Sequence, residues 1–276
     1  MSMKGLEDHK VQGELFVFPG RVFFRGRGLH TEYHSHHASS LLLSMEDQPF
    51  RVALSEKEEP APYRGLLLGP GVRHQLLART IDMLVIQVVP EMYRIGPGSI
   101  CEIAGPQIAR IARLAAVRKC REVSRATDKI LALVEGQGET IEEHPPLDAR
   151  IEKSLQQIQE ALPEILSVME LSIMAGLSEH RFMHLFKKEV GIPVRRYALW
   201  ARMQKAAFLL QDGRSLTEAA HEAGFSDSAH MSRSFKEFFG ISPSSVLGEK
   251  AAVMSWFCSE LPGKKSQSAE TGEHFK

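Results

Sequence analysis

Two stretches of this chain repeat one another, and that repeat limits the fold more than any other feature. Ala175, Gly176, Leu177 and Ser178 align with Ala223, Gly224, Phe225 and Ser226 at an offset of 48, whereas Phe186, Lys187, Gly191 and Ile192 align with Phe235, Lys236, Gly240 and Ile241 at 49. One supersecondary unit therefore occurs twice, with a single residue gained inside the second copy.

The unit reads as two helices around a tight turn. "SVMELSIMA" and "SLTEAAHEA" are short helices with apolar patterning, and Ser215 with Glu218 makes a Ser-x-x-Glu capping box. Each ends at a glycine, the residue that most easily enters the left-handed turn conformation. Ser178 and Ser226 then stand as N-caps of a second helix, which completes a helix-turn-helix.

Helical phase separates two faces. In the first copy Phe182, Leu185, Phe186 and Val190 fall together, and His180 and His184 lie opposite, flanked by Arg181, Lys187 and Lys188. In the second copy Met231, Phe235, Phe238 and Phe239 form the inner face, opposite Ala229 and Arg233, with Ser226, His230 and Lys236 nearby. Net charge is zero over 276 residues, but from His180 to Lys205 seven cations face Glu189 alone. Such a face is soluble in any case; it also suits phosphates, and arginine can hold a guanine edge with two hydrogen bonds.

Between the copies, "IPVRRYALWARMQKAAFLLQDG" contains no helix breaker after Pro193 and ends at Asp212 and Gly213. Two recognition helices fixed to one rod are predicted to enter successive major-groove boxes of double-stranded DNA about 34 Å apart, one helical turn.

These residues carry a resemblance. "LDARIEKSLQQI", "AGLSEHRFMHLFKKEVGIP" and "AAHEAGFSDSAHMSRSFKEFFGISP" resemble the DNA-binding domain of the AraC family of bacterial transcription regulators, over about a hundred residues from Asp148 to Val246. The resemblance places His180, Met183 and His184 at the base-reading positions of the first recognition helix, and Ala229, His230 and Arg233 at those of the second. Ala229 departs from the polar residue common there and offers apolar contact alone. Val246 and Leu247 replace the usual Tyr-Arg ending.

The first half has another character. "LFVF", "RVFFR", "LLLSM", "FRVAL", "RGLLL", "HQLLA" and "MLVIQVV", separated by Gly, Pro and charged turns between Leu15 and Val89, predict a small β-barrel or sandwich. Residues 106–136 predict one or two helices whose apolar set, Ile108, Ile111, Ala115, Ile130, Leu131 and Val134, packs on the β-domain or pairs with a second subunit. The expected class is thus α+β in two domains. A β-barrel with a helical extension occupies residues 1–135, a Gly/Pro/acid-rich linker 136–147, an all-α domain of two helix-turn-helix units joined by a long helix 148–250, and a polar disordered tail 261–276.

"HTEYHSHHASSLLLS" places His34 and His36 on one side of a strand, with His74 following in "GPGVRH". The two segments resemble the metal motifs of cupin barrels, but Ser40 stands where those motifs have a glutamate. The histidines are therefore expected to line an effector pocket without metal, as in the cupin-like N-terminal domains of AraC-type regulators. A three-histidine metal site is the alternative, and would make the chain a cupin oxygenase or isomerase fused to a DNA-binding unit.

Cys101, Cys120 and Cys258 are widely spaced and are expected to be reduced thiols. No run of 18 apolar residues and no basic start leading into an apolar segment is present, so a cytoplasmic protein without membrane contact is expected. The predicted function is sequence-specific transcription regulation, without catalytic residues or cofactor, controlled by a small-molecule effector or a partner. Homodimerisation is an open expectation, as is RNA polymerase contact if the protein is an activator.

Overall fold

The chain is described here by a computed structural model, which places residues 10–258 except 19, 37, 90–92, 94, 97, 136–146 and 247–251. The expected tail and nearly all of the expected linker lie outside the described residues, as does Leu247.

The apolar runs of the first half become two sheets. The larger runs in the order β10 (Ile100–Glu102), β7 (Gly65–Leu68), β4 (Ser39–Ser44), β9 (Met83–Val88), β2 (Arg21–Arg27), β1 (Gln12–Phe18) and β11 (Ala252–Phe257). The smaller runs β3 (Leu29–His30), β8 (Gln75–Ala78), β5 (Phe50–Ala53) and β6 (Ala61–Tyr63). All pairs are antiparallel except β1 with β11.

Both faces of the larger sheet are covered, which explains why its strands read as continuous apolar runs rather than alternating ones. Leu41 and Leu43 of β4 and Leu84, Ile86 and Val88 of β9 meet the helices α1 (Gly105–Leu114) and α2 (Cys120–Glu135). Leu42 and Val85 point the other way, to the core shared with the smaller sheet. The apolar set predicted for residues 106–136 is buried on the sheet, as the first of its two readings had it. Buried Arg21 on β2 fastens α2 by donating to Asp128 and Ser124, each at 2.5 Å.

The second half is helical: α3 (Ala149–Ala161), α4 (Val168–Met174), α5 (Glu179–Val190), α6 (Val194–Gln211), α7 (Leu216–Glu222), α8 (Ser228–Phe239) and a 3₁₀ turn at Pro243–Ser245. Asp148 caps α3, as its position before the apolar pattern predicts. The repeat is visible residue by residue. Both α4 and α7 have seven residues and both carry a full capping box, Ser167 with Glu170 and Ser215 with Glu218. Both α5 and α8 have twelve residues and end at a left-handed glycine, Gly191 and Gly240.

Two sequence expectations need correction at the level of local structure. The N-cap of α8 is Asp227, which accepts from the His230 amide at 2.6 Å, and not Ser226. The residue gained in the second copy therefore lies in the turn, and carboxylate and hydroxyl are both competent caps, so composition alone did not choose between neighbours. The cysteines are not all reduced thiols: Cys120 and Cys258 form a disulfide with Cα atoms 5.7 Å apart, within ordinary geometry, and Cys101 is free. Their 138-residue separation concealed the pair. It becomes short in space because β11 returns the chain to the outer edge of β1, where Cys258 N donates to Val17 O at 2.8 Å and Trp256 stacks on Phe16.

Helix α6 serves three bodies. Val194, Tyr197 and Ala201 complete the core of the first helix-turn-helix unit, and Trp200, Met203 and Ala206 that of the second. Trp200 also packs with Val89 at the end of the sheet domain, so apolar residues spread around the whole helix, the pattern of an element buried on several sides.

Candidate nucleic-acid interface and interdomain pocket

The capping boxes and glycine turns hold α5 and α8 at matching positions on either end of α6. Gly224 shows why the turn needs glycine: at φ +90° it lies so close to Pro163 that a Cβ would come within 2.6 Å of the carbonyl oxygen. Phe182, Phe186 and Val190 are buried beneath α5, and Met231 and Phe238 beneath α8. The predicted reading faces point outward. His180, Arg181, Met183, His184, Lys187 and Lys188 are all exposed on α5, with the His180 and His184 rings 4.5 Å apart across one turn. On α8, Ala229, Arg233 and Lys236 are exposed, His230 is half-buried, and Ser226 in the preceding turn is exposed. Ser226 Oγ lies 3.1 Å from His230 Nδ1, which holds that ring near the helix start.

At its C-terminal end, α8 also touches the β-domain, an arrangement no local pattern predicts. Lys236 Nζ pairs with Glu32 Oε1 at 2.6 Å, and the Glu32 amide donates to the Gly240 carbonyl at 2.9 Å. Arg196 at the start of α6 donates to the Ser35 carbonyl and lies 3.6 Å from Glu237. Phe235 and Phe239 turn from the helical core into the gap between domains.

That gap contains an apolar cavity of about 130 Å³. The sheet domain contributes Leu15, Val17, Phe24 and Val85 to its wall, and the helical domain Trp200, Met203, Phe235 and Phe239. Its polar end is formed by His34, His74, Ser40, Gln87 and, from α6, Gln204.

The predicted pocket histidines do come together. A two-way backbone bridge joins His34 to His74, at 2.9 and 3.0 Å, and the relative exposures of His34, His36 and His74 are only 6%, 3% and 3%. His36 lies behind the other two, with Nε2 3.1 Å from Ser40 Oγ and 3.4 Å from the Gln87 side-chain nitrogen. Burial lowers the pKa of His34, and burial reinforced by repulsion from His34 brings that of His74 to about 4. Both rings are thus neutral at pH 7.

Comparisons with known proteins agree with this geometry. The family described as "Helix-turn-helix domain" matches residues 171–248. The arabinose operon regulatory protein of Escherichia coli is 32% identical over 103 residues, 37% of this chain and 35% of that protein. The HTH-type transcriptional regulator YidL of the same organism is 36% identical over 103 residues, again 37% and 35%, and the Msm operon regulatory protein of Streptococcus mutans 34% over 80, 29% of each. The chain spans about a third of the length of these curated relatives. In fold, the chain is similar to ToxT from Vibrio cholerae, with a TM-score of 0.58 over 85% of this chain and 93% of that one, at 11% identity. A sheet-rich first domain followed by a helical second one is thus a known two-domain architecture. Over residues 171–248 the chain is thus similar to bacterial helix-turn-helix transcription regulators, the arabinose operon regulatory protein among them.

Proposed function

We propose that this protein is a sequence-specific regulator of transcription that reads two neighbouring boxes of double-stranded DNA and is controlled through its β-domain. The observation that carries the reading is the duplicated, capped helix-turn-helix with an outward polar face on each second helix. Helix α6, with 18 residues, spans about 27 Å and supports both units, so α5 and α8 act as one body on one face of the duplex. On α5 the reading residues are His180, Met183 and His184, with Arg181, Lys187 and Lys188 for phosphates. On α8 polar recognition rests on Arg233 and His230, with Ser226 and Lys236 at the flanks and Ala229 offering apolar contact to a thymine methyl.

The β-domain is read as a cupin-like barrel, and the cavity between domains as the effector site. A ligand there touches both bodies, so it favours one arrangement of the domains over another, which is the condition for control. One solved ToxT structure is described as bound to an unsaturated fatty acid, and the apolar wall here suits a ligand with a substantial apolar part. The regulator reading includes a cytoplasmic location, polymerase contact in the case of activation, and pairing of subunits on repeated half-sites. No helix among the described residues is long and apolar enough to cross a membrane.

Selection of DNA from a random pool by the full chain tests the reading. Two short boxes about one turn apart are expected. Arg233→Ala with His184→Ala should abolish most sequence preference while leaving weak, salt-sensitive binding; an unchanged footprint would refute the assignment of those residues.

A further inference from the structure

We propose that the interdomain cavity takes a small uncharged phenol, whose one hydroxyl bridges the domains by donating to Nε2 of His34 or His74 and accepting from the side-chain nitrogen of Gln204. That such a ligand controls DNA binding rests on the regulator reading; the site and its ligand class do not.

Size and wall set the body of the ligand. A cavity of about 130 Å³ is on the scale of a single ring, since an apolar cavity of about 150 Å³ holds benzene. Phe24 lines it from the sheet domain, and Trp200, Phe235 and Phe239 from the helical domain. The Phe239 ring already packs 4.5 Å from that of Phe235 and 5.7 Å from that of Trp200, and a further ring extends this aromatic cluster.

Polar groups set its head. The polar side chains of the wall are Thr31, His34, Ser40, His74, Gln87 and Gln204, with no Lys, Arg, Asp or Glu among the described residues. His34 Nδ1 faces the Glu32 carbonyl at 2.9 Å and His74 Nδ1 that of Val72 at 3.0 Å. A carbonyl oxygen has no proton to give, so each Nδ1 donates and Nε2 of each neutral ring is left as an acceptor. The two rings lie 4.4 Å apart, so one hydroxyl can reach either. Ser40 Oγ and the Gln87 side-chain nitrogen turn instead to His36 Nε2, at 3.1 and 3.4 Å, and the Thr31 hydroxyl accepts from the Leu76 amide at 2.8 Å. On α6, in the other domain, Gln204 Nε2 is buried without a hydrogen-bond partner among the described residues.

The wall thus combines acceptors on the sheet domain with an unused donor on the helical domain. A hydroxyl gives and takes a hydrogen bond at a single atom, which satisfies both. A carboxylate could use the donor alone, and its charge would be buried beside two lone pairs with no cation to pair it. An ether oxygen accepts but has nothing to give the histidines. A phenol stays uncharged at neutral pH, because its O–H ionises only near pH 10.

The test is calorimetric titration of the full chain with para-cresol, toluene, para-methylanisole and para-toluate, with a chelator present throughout. One cresol per chain is expected, with the other three at least 10-fold weaker. Toluene or para-methylanisole binding as tightly as cresol would overturn the hydroxyl's role, tighter binding of para-toluate would overturn the uncharged class, and binding of none of the four would overturn the site. This series decides the ligand class without any variant. Gln204→Leu keeps the volume and removes the donor; cresol should bind about 5-fold or more weakly and toluene as before, a split that a merely structural role would not produce. His34→Phe and His74→Phe each keep a ring and remove an acceptor, and at least one should show the same split. Equal losses for cresol and toluene in all three variants would overturn the bridge. With a selected DNA site in hand, saturating cresol should change affinity 5-fold or more. Cresol binding without that change would count against the effector reading and leave the site standing; failure to select any sequence would count against the regulator reading alone.

Discussion

Gly240 carries two constraints at once, and Gly176 only one. Both have positive φ, +69° and +65°, which costs an L-residue about 1–2 kcal/mol. A Cβ on Gly176 meets open space, whereas on Gly240 it lies 2.6 Å from Thr31 Cβ and 2.9 Å from the Glu32 carbonyl. Gly240→Ala is therefore expected to destabilise the chain by about 1–3 kcal/mol more than Gly176→Ala, the usual cost of overpacking. Thermal unfolding of the two variants side by side checks this, and equal midpoints would argue against the close packing of α8 on the β-domain. The residue scale is also where the sequence was most informative. Every predicted DNA-face residue is solvent-facing except half-buried His230, and the three pocket histidines converge. Periodicity fixes the side of a helix on which a residue lies. It says nothing of a tautomer, which depends on the carbonyls of Glu32, Ala38 and Val72, nor of Glu32 as partner of Lys236 across 204 residues.

Helix starts in the second half depend on acids. Hydrogen bonds from the Ser167 and Ser215 amides hold Glu170 and Glu218 below the usual carboxylate range, and the His230 amide does the same for Asp227. The Arg150 side chain brings Asp148 down to about 2. A carboxylate depressed in the folded state binds fewer protons than in the unfolded chain. Its contribution is complete above the unfolded value and is lost as pH falls through the folded one. The helical domain should thus lose stability between about pH 4.5 and pH 2, seen as a falling helical circular dichroism midpoint in urea. Glu170→Gln with Glu218→Gln should flatten that fall, and an unchanged slope would remove the capping boxes as its source. At pH 7, Ser215→Ala should cost about 1 kcal/mol. Capping chemistry is local, so this layer was legible from sequence, with Asp227 against Ser226 a one-residue miss. Strand β11 was not. Six residues, "AVMSWF", have no neighbour in sequence to pair with, and their partner β1 lies some 240 positions away.

At the scale of the molecule the disulfide joins α2 to the end of β11 and closes a loop over 138 residues. In the chain-entropy account, closure of a loop that long stabilises by about 5 kcal/mol. Reduction by a dithiol, or Cys258→Ser, is expected to lower the urea midpoint by a corresponding amount; superimposable curves with and without reductant would deny the bond a structural role. The two-domain division was legible because the Gly/Pro/acid-rich residues 136–147 separate the strand-bearing part from the capped helical repeat, but the return of the chain to its first strand was not, since topology leaves no periodic trace. One consequence concerns the whole helical half. Both its ends are tethered to the same sheet, so it is an insertion into the β-domain and not an appendage. Any single cut of the backbone between Cys120 and Cys258 leaves one covalent molecule, with the helical body still joined to the sheet.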